Sequence, residues 1–276
     1  MKSTRAILLA CMLAAALPKP AQATPPPPQP ICEPVSPDMT SEALGRLISA
    51  KGERREGECA AQNLAERGAD AVPTVLDLLR LRDAHVDMLA LTVLAGIGPQ
   101  AQAALPDLME RLRQPPTLQD KYLYDAMVAL GPAARPAIPL LIARSRIGAH
   151  PYYPQHAVWP LHALGRLGKH DPDRVVPYLA TLLLDRENDQ PVLDALADIG
   201  HDAHAAVPAI LVALERATIS GSREDGAAAL DALIAVGVPA ESVPVLKKLL
   251  HDPVLGGPAA ARLAAIAPFE ASAGLP

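Results

Sequence analysis

Along most of this chain apolar residues return every three or four positions and never in strict alternation, which predicts amphipathic helices and no strands. The pattern also repeats over a longer interval. Aligning segments on a proline that follows an aliphatic residue brings together GADAVPTVLDLLR from Gly68, GPQAQAALPDLMERLR from Gly98 and GPAARPAIPLLIARSR from Gly131. GKHDPDRVVPYLATLLLD from Gly168, GHDAHAAVPAILVALER from Gly200 and GVPAESVPVLKKLL from Gly237 join them, and a truncated copy runs from Ala267. The anchoring residues are Pro73, Pro106, Pro139, Pro177, Pro208, Pro244 and Pro276, spaced by 33, 33, 38, 31, 36 and 32 residues. Before each glycine, apolar residues sit one and four positions back, as at Leu94 and Ile97 or Leu196 and Ile199. After it they flank the proline at helical spacing, as at Leu105, Leu108 and Leu112. Each unit therefore reads as two helices, with the glycine as a left-handed cap on the first and the proline in or near the first turn of the second.

A pair of short helices cannot shelter its own apolar face, so neighbouring pairs must stack, giving an all-α solenoid of about six to seven antiparallel helix pairs. Residues 36–49, SPDMTSEALGRLIS, read as an opening cap helix. The repeated G-P-x-A-x-x-A-[VLI]-P-x-[LI] pattern resembles HEAT repeats, in particular the short HEAT-like type named after phycobilisome lyases, over residues 55–276. That resemblance implies a right-handed superhelix and a range of roles, from scaffold and adaptor to chaperone and a few enzymes. The first copy departs from it with Arg67 where an aliphatic residue precedes the glycine elsewhere, and the fourth replaces the alanines with Asp171-Pro172-Asp173-Arg174.

The first 23 residues follow another logic. Lys2 and Arg5 precede an apolar stretch, Ala6 to Leu17, and Ala21-Gln22-Ala23 is a small-x-small cleavage site, so residues 1–23 are expected to be a signal peptide that exports the chain to the periplasm or beyond. Leu8-Leu9-Ala10-Cys11 resembles a lipobox, but too few apolar residues precede Cys11 to make lipid anchoring the favoured route. Residues 24–37, TPPPPQPICEPVSP, form an extended proline-rich arm, and residues 38–276 carry the repeats. Past the leader no uninterrupted apolar run reaches the roughly 18 residues a membrane span needs. Cleavage leaves two cysteines, Cys32 and Cys59; in an oxidising compartment they are expected to pair, with two separate buried thiols as the other reading.

Composition narrows the chemistry. Of 276 residues half are hydrophobic, only 3% are aromatic, and the net charge is -5, which argues against a nucleic-acid binder that must neutralise phosphates. Five of the seven aromatics fall at Tyr122, Tyr124, Tyr152, Tyr153 and Trp159, with Tyr178 close behind, around the insertion that lengthens one repeat to 38 residues. Tyr152, Tyr153, Trp159 and Tyr178 are candidate partner-binding residues, or rings that fill an irregular joint. Arg80, Arg113 and Arg146 recur seven residues after successive anchoring prolines, with Arg111 and Arg144 two residues before the last two, so they read as dipole-matched helix ends or as a cationic edge for an acidic partner, an anionic glycan or a lipid headgroup.

Iron-dependent HEAT-like hydroxylases of the deoxyhypusine type carry His-Glu pairs, and this chain has none. His170, Asp171, His201 and His204 sit in equivalent loops of adjacent units and are the nearest thing to a metal set, though Asp171 before Pro172 reads first as a helix cap. No nucleophile has a base in sequence reach. The expectation is a non-enzymatic exported scaffold that binds another protein without a cofactor; the alternative is a metal- or ligand-binding lyase-like or chaperone-like protein using the His/Asp loops.

Overall fold

The computed structural model describes residues 39–51, 55–117, 119–146, 155–185, 189–238, 242–253 and 255–263. The chain divides into two compact units, residues 1–33 and 34–276, and every described residue belongs to the second. The expected leader, Cys11, the proline-rich arm and the truncated last copy lie outside the described residues.

The chain is all-α, with no strand among the described residues. In order, the helices are α1 (Ser41–Lys51), α2 (Arg55–Glu66), α3 (Val72–Arg80), α4 (Ala84–Ile97), α5 (Leu105–Arg113), α6 (Asp120–Ala129) and α7 (Ile138–Ser145). Then follow α8 (Gln155–Gly168), α9 (Pro172–Leu184), α10 (Asp189–Ile199), α11 (Val207–Ser220), α12 (Arg223–Val236), α13 (Val243–Leu250) and α14 (Gly256–Leu263). From α2 to α14 each even-numbered helix packs on the next even-numbered one. Odd-numbered helices form a second row, and each of α1, α3, α5, α7, α9, α11 and α13 also packs on the even helix that follows it. One continuous hydrophobic core runs between the two rows, from Leu44 and Ile48 of α1 to Leu255 and Ala259 at the start of α14.

The repeated motif acquires a physical meaning between the helices of a unit. In four of the units the glycine opens a 3-10 turn, as at Gly98–Ala104, Gly131–Ala137 and Gly200–Ala206, and the motif alanines point inward from it. Ala101, Ala104, Ala134, Ala137, Ala203 and Ala206 have no exposed surface. Successive turns lie against each other, which leaves room for a methyl group and nothing larger. The following proline then falls in the first turn of the second helix, where its missing N–H costs nothing. Gly98 adopts φ 68 and ψ -137, a combination open only to glycine, rather than the left-handed helical cap that its position suggests.

The fourth unit breaks the rule. Its sequence lacks the motif alanines, no 3-10 turn forms, and α9 begins early at Pro172. Pro177 therefore lies inside the helix and not in its first turn. Gly168 is correspondingly no positive-φ cap; it closes α8 with an ordinary backbone and leaves room for Ile199 of α10.

The other departure in the sequence, Arg67, is explained by the cap helix. Its guanidinium donates to Ser41 Oγ at 3.3 Å and to the Met39 carbonyl, tying the first repeat to the start of α1. The stretch Ala84–Arg113 contains an 18-residue window with a mean hydropathy of 1.4 and so has the length and apolarity of a membrane span, which qualifies the expectation that none follows the leader. It is α4 and α5 joined through the Gly98 turn, and half of that window is buried.

The even row closes tightly where α8 meets α10. A Cβ at Gly165 would lie 2.7 Å from the Ala195 Cα and 3.0 Å from its carbonyl oxygen, backbone atoms that cannot move independently. Gly165→Ala is expected to cost about 1–3 kcal/mol by overpacking, against the gain in helix propensity that the same change gives on an open face. Urea unfolding monitored by circular dichroism measures the difference.

Candidate functional site

The even row carries a cleft of about 590 Å³ lined from three helices. From α6 come Lys121, Tyr124, Asp125, Val128 and Ala129, from α8 Trp159, His162, Ala163 and Arg166, and from α10 Asp198. The spacing is helical: 121, 124, 125 and 128 on one wall and 159, 162, 163 and 166 on the other each mark one face. Ala129 and Ala163 keep the floor low between the helices. Tyr124 is buried, and burial raises its hydroxyl pKa above the usual tyrosine range, so it stays a neutral phenol at any physiological pH.

The charged groups around the cleft fall into two kinds. Lys121 and Asp125 neutralise each other at 2.6 Å across one turn of α6, and the Lys121 ammonium lies 5.5 Å from the Tyr122 ring. Arg166, His162 and Asp198 are exposed and make no ion pair or hydrogen bond among the described residues. An unpaired guanidinium and an unpaired carboxylate beside a half-buried indole make a site with binding capacity and no nucleophile–base pair.

Sequence reading singles out Trp159 but misses Arg166 and Asp198. Both lie two residues before the glycine of their unit, at equivalent positions in adjacent repeats, and that register is the available signal. Tyr152 and Tyr153 lie outside the described residues. Tyr178 is a joint between units: its hydroxyl is 2.7 Å from Ser145 Oγ on α7, and the Arg146 guanidinium lies 5.1 Å from its ring.

The five arginines of the expected cationic edge separate. Arg80, Arg113 and Arg146 are exposed; Arg80 and Arg113 pair locally with Asp77 at 2.5 Å and Glu110 at 3.0 Å. Arg111 and Arg144 turn inward. Arg111 Nη2 donates to Asp87 Oδ2 at 2.7 Å and to the Leu79 carbonyl at the end of α3 at 3.0 Å. Arg144, 5% exposed, reaches Asp120 Oδ2 at 2.8 Å, while Asp120 Oδ1 accepts from the Thr117 backbone N–H and hydroxyl. Arg216 of α11 repeats the arrangement on Asp189 and the Leu183 carbonyl. In each case an arginine of the second helix pins an aspartate at the head of its own unit's first helix, 24 or 27 residues earlier. These guanidiniums are committed to internal ion pairs.

The candidate metal residues do not assemble. Among the described residues no group of three or more His, Cys, Asp or Glu side chains comes together. Asp171 is buried and takes Arg135 at 3.2 Å and Arg174 at 3.6 Å. It occupies the cap position of α9, but its carboxylate makes no capping hydrogen bond, so the capping role read from the sequence gives way to holding these two arginines. His201 and His204 are exposed on the Gly200–Ala206 turn, with the His201 ring close enough to Gly237 that a Cβ there would sit 2.5 Å from it. Cys59 is buried on α2 and disulfide-bonded; Cys32, its expected partner, lies outside the described residues.

No family model, no curated protein and no solved structure matches this chain.

Two outcomes follow from the fastenings. Arg144→Ala leaves Asp120 as an uncompensated buried charge and is expected to cost about 3–5 kcal/mol, whereas Arg113→Ala on the surface stays within about 0.5 kcal/mol; paired denaturant titrations compare them. Asp87 is held above its ordinary pKa of 3.8, mainly by burial and against the pull of Arg111. The folded chain therefore holds that proton more tightly than the unfolded one, and Asp87 makes stability fall as pH rises through its raised pKa. Asp87→Asn should remove that component in the range just above the ordinary carboxylate pKa, seen as a flatter stability profile than that of the parent chain.

Proposed function

We propose that this chain is a non-enzymatic, exported protein-binding scaffold, built as a right-handed HEAT-like α-solenoid, whose docking surface is the cleft between α6, α8 and α10. The single observation that carries the reading is this cleft. It combines a half-buried indole, a small-residue floor and unpaired charges of both signs on a rigid row of helices. Packing of each helix against near neighbours supports the solenoid, because such a scaffold exposes a long row of equivalent helix faces. The glycine-to-alanine turns support the HEAT-like reading, since they give the motif its structural reason.

Export rests on the leader-like sequence of residues 1–23, and a Cys32–Cys59 disulfide fits the same compartment. Of the surfaces expected from sequence, the reading moves from the helices after each proline to the helices before each glycine. The inward guanidiniums of Arg111 and Arg144 are the reason.

A photo-crosslinking residue at position 162 tests the proposal in cells. A discrete adduct is expected there and none at position 80 on the opposite row, with Trp159→Ala reducing the adduct at least about tenfold. Equal labelling at both positions, or an adduct insensitive to Trp159, overturns it.

A further inference from the structure

The charges around the cleft are distributed with a direction. On the α8 wall the groups outside any ion pair are Arg166 and His162, one turn apart; on α10 the group is Asp198. The Lys121–Asp125 pair on α6 is internally neutral. Between these poles lie Trp159, Val128, Ala129 and Ala163. Close approach of α8 and α10 at Gly165 and Ala195 brings the acidic helix up against the basic wall.

A carboxylate finds a guanidinium and an imidazole N–H on one side. A cation finds the Asp198 carboxylate on the other. An apolar group between them covers the indole. A uniformly acidic or basic partner would leave one pole desolvated and unmatched, which disfavours it.

We propose that the α6–α8–α10 cleft binds a mixed-charge peptide segment: an acidic side chain on Arg166 and His162, a basic one on Asp198, and an apolar side chain between them against Trp159. This rests on the docking role assigned to the cleft above and specifies what docks. Arg166 and Asp198 are the residues that set specificity, and Trp159 supplies contact area common to all occupants.

Trp159 is the only tryptophan of the chain, so its emission reports on the cleft directly. The probes are blocked tripeptides titrated into the purified full chain: Glu-Leu-Lys and Lys-Leu-Glu, because the direction of the bound segment is open, with Gln-Leu-Gln as the neutral control. One mixed-charge order is expected to shift Trp159 emission with a Kd at least about fivefold below that of the neutral peptide, a margin that two partly exposed ion pairs can supply. Arg166→Gln should erase the advantage of the acidic end, and Arg166→Glu should transfer the preference to Lys-Leu-Lys. The side chains changed or probed are exposed or half-buried, so folding is not at stake, and circular dichroism confirms it. Equal affinity for charged and neutral peptides, or no emission change with any of them, overturns the inference. If peptides fail while the crosslinker at position 162 still gives a Trp159-dependent adduct, only the charge pattern falls and the docking role stands. If both are silent, the docking role falls with it.

Discussion

No helix pair in this chain can hide its own aliphatic face, and burial against the next pair is what every other feature serves. Each even helix packs more extensively on its neighbours along the row, and on the odd helix of the preceding unit, than on the second helix of its own unit. Leu94, Met127, Leu164, Leu196 and Leu233 have no exposed surface because the adjacent unit covers them. At about 25 cal/mol per Å² of apolar surface, each such interface is worth several kcal/mol, and none of it is available to an isolated pair. Alanine richness follows, since the closer the rows sit, the more complete the burial.

Close packing of this kind creates an electrostatic problem at every joint. Helix ends expose carbonyls and N–H groups, and stacking removes the water that would satisfy them. The arginines of α5 and α11 answer both needs at once, reaching the carbonyl end of the preceding odd helix and an aspartate at the head of their own unit. Their long stems also fill space that alanines leave. The incomplete match at Asp87 shows the cost: Oδ1 is buried with no hydrogen-bond partner among the described residues, and burial outweighs Arg111 in setting its pKa.

Much of this is legible in the sequence, and the failures are instructive. The proline–glycine punctuation locates the helix pairs because both residues act through local backbone geometry, which a sequence displays directly. Side-chain direction is harder. Arg111 and Arg113 lie two positions apart, about 200° around a helix, so one faces solvent when the other faces the core. A spacing argument based on proline distance gives them one role. The aspartates at positions 87, 120 and 189, each eleven residues before a motif glycine, are the missing half of the pattern. Asp171 fails for the same reason. Its position next to Pro172 suggests a cap, and only tertiary contact reveals Arg135 as its partner.

The fourth unit shows how the joint and the cleft depend on each other. It lacks the head aspartate, with Ala157 at that register, and has the buried Leu182 where α5 and α7 place an inward arginine. One fastening to the third unit is instead the Tyr178 hydroxyl on Ser145, with Arg146 stacked on the ring. A phenol–hydroxyl contact needs no carboxylate, so it makes no demand on the first helix of the unit. On the first helix of that unit, α8, His162 and Arg166 lie at the surface beside Trp159. A repeat that keeps the common fastening commits one arginine and one aspartate inward. The unit that carries a tyrosine there presents Arg166 and His162 at the surface, and the cleft is completed by Asp198 of the regular unit that follows, so the irregular unit supplies the cationic wall and a regular one the carboxylate.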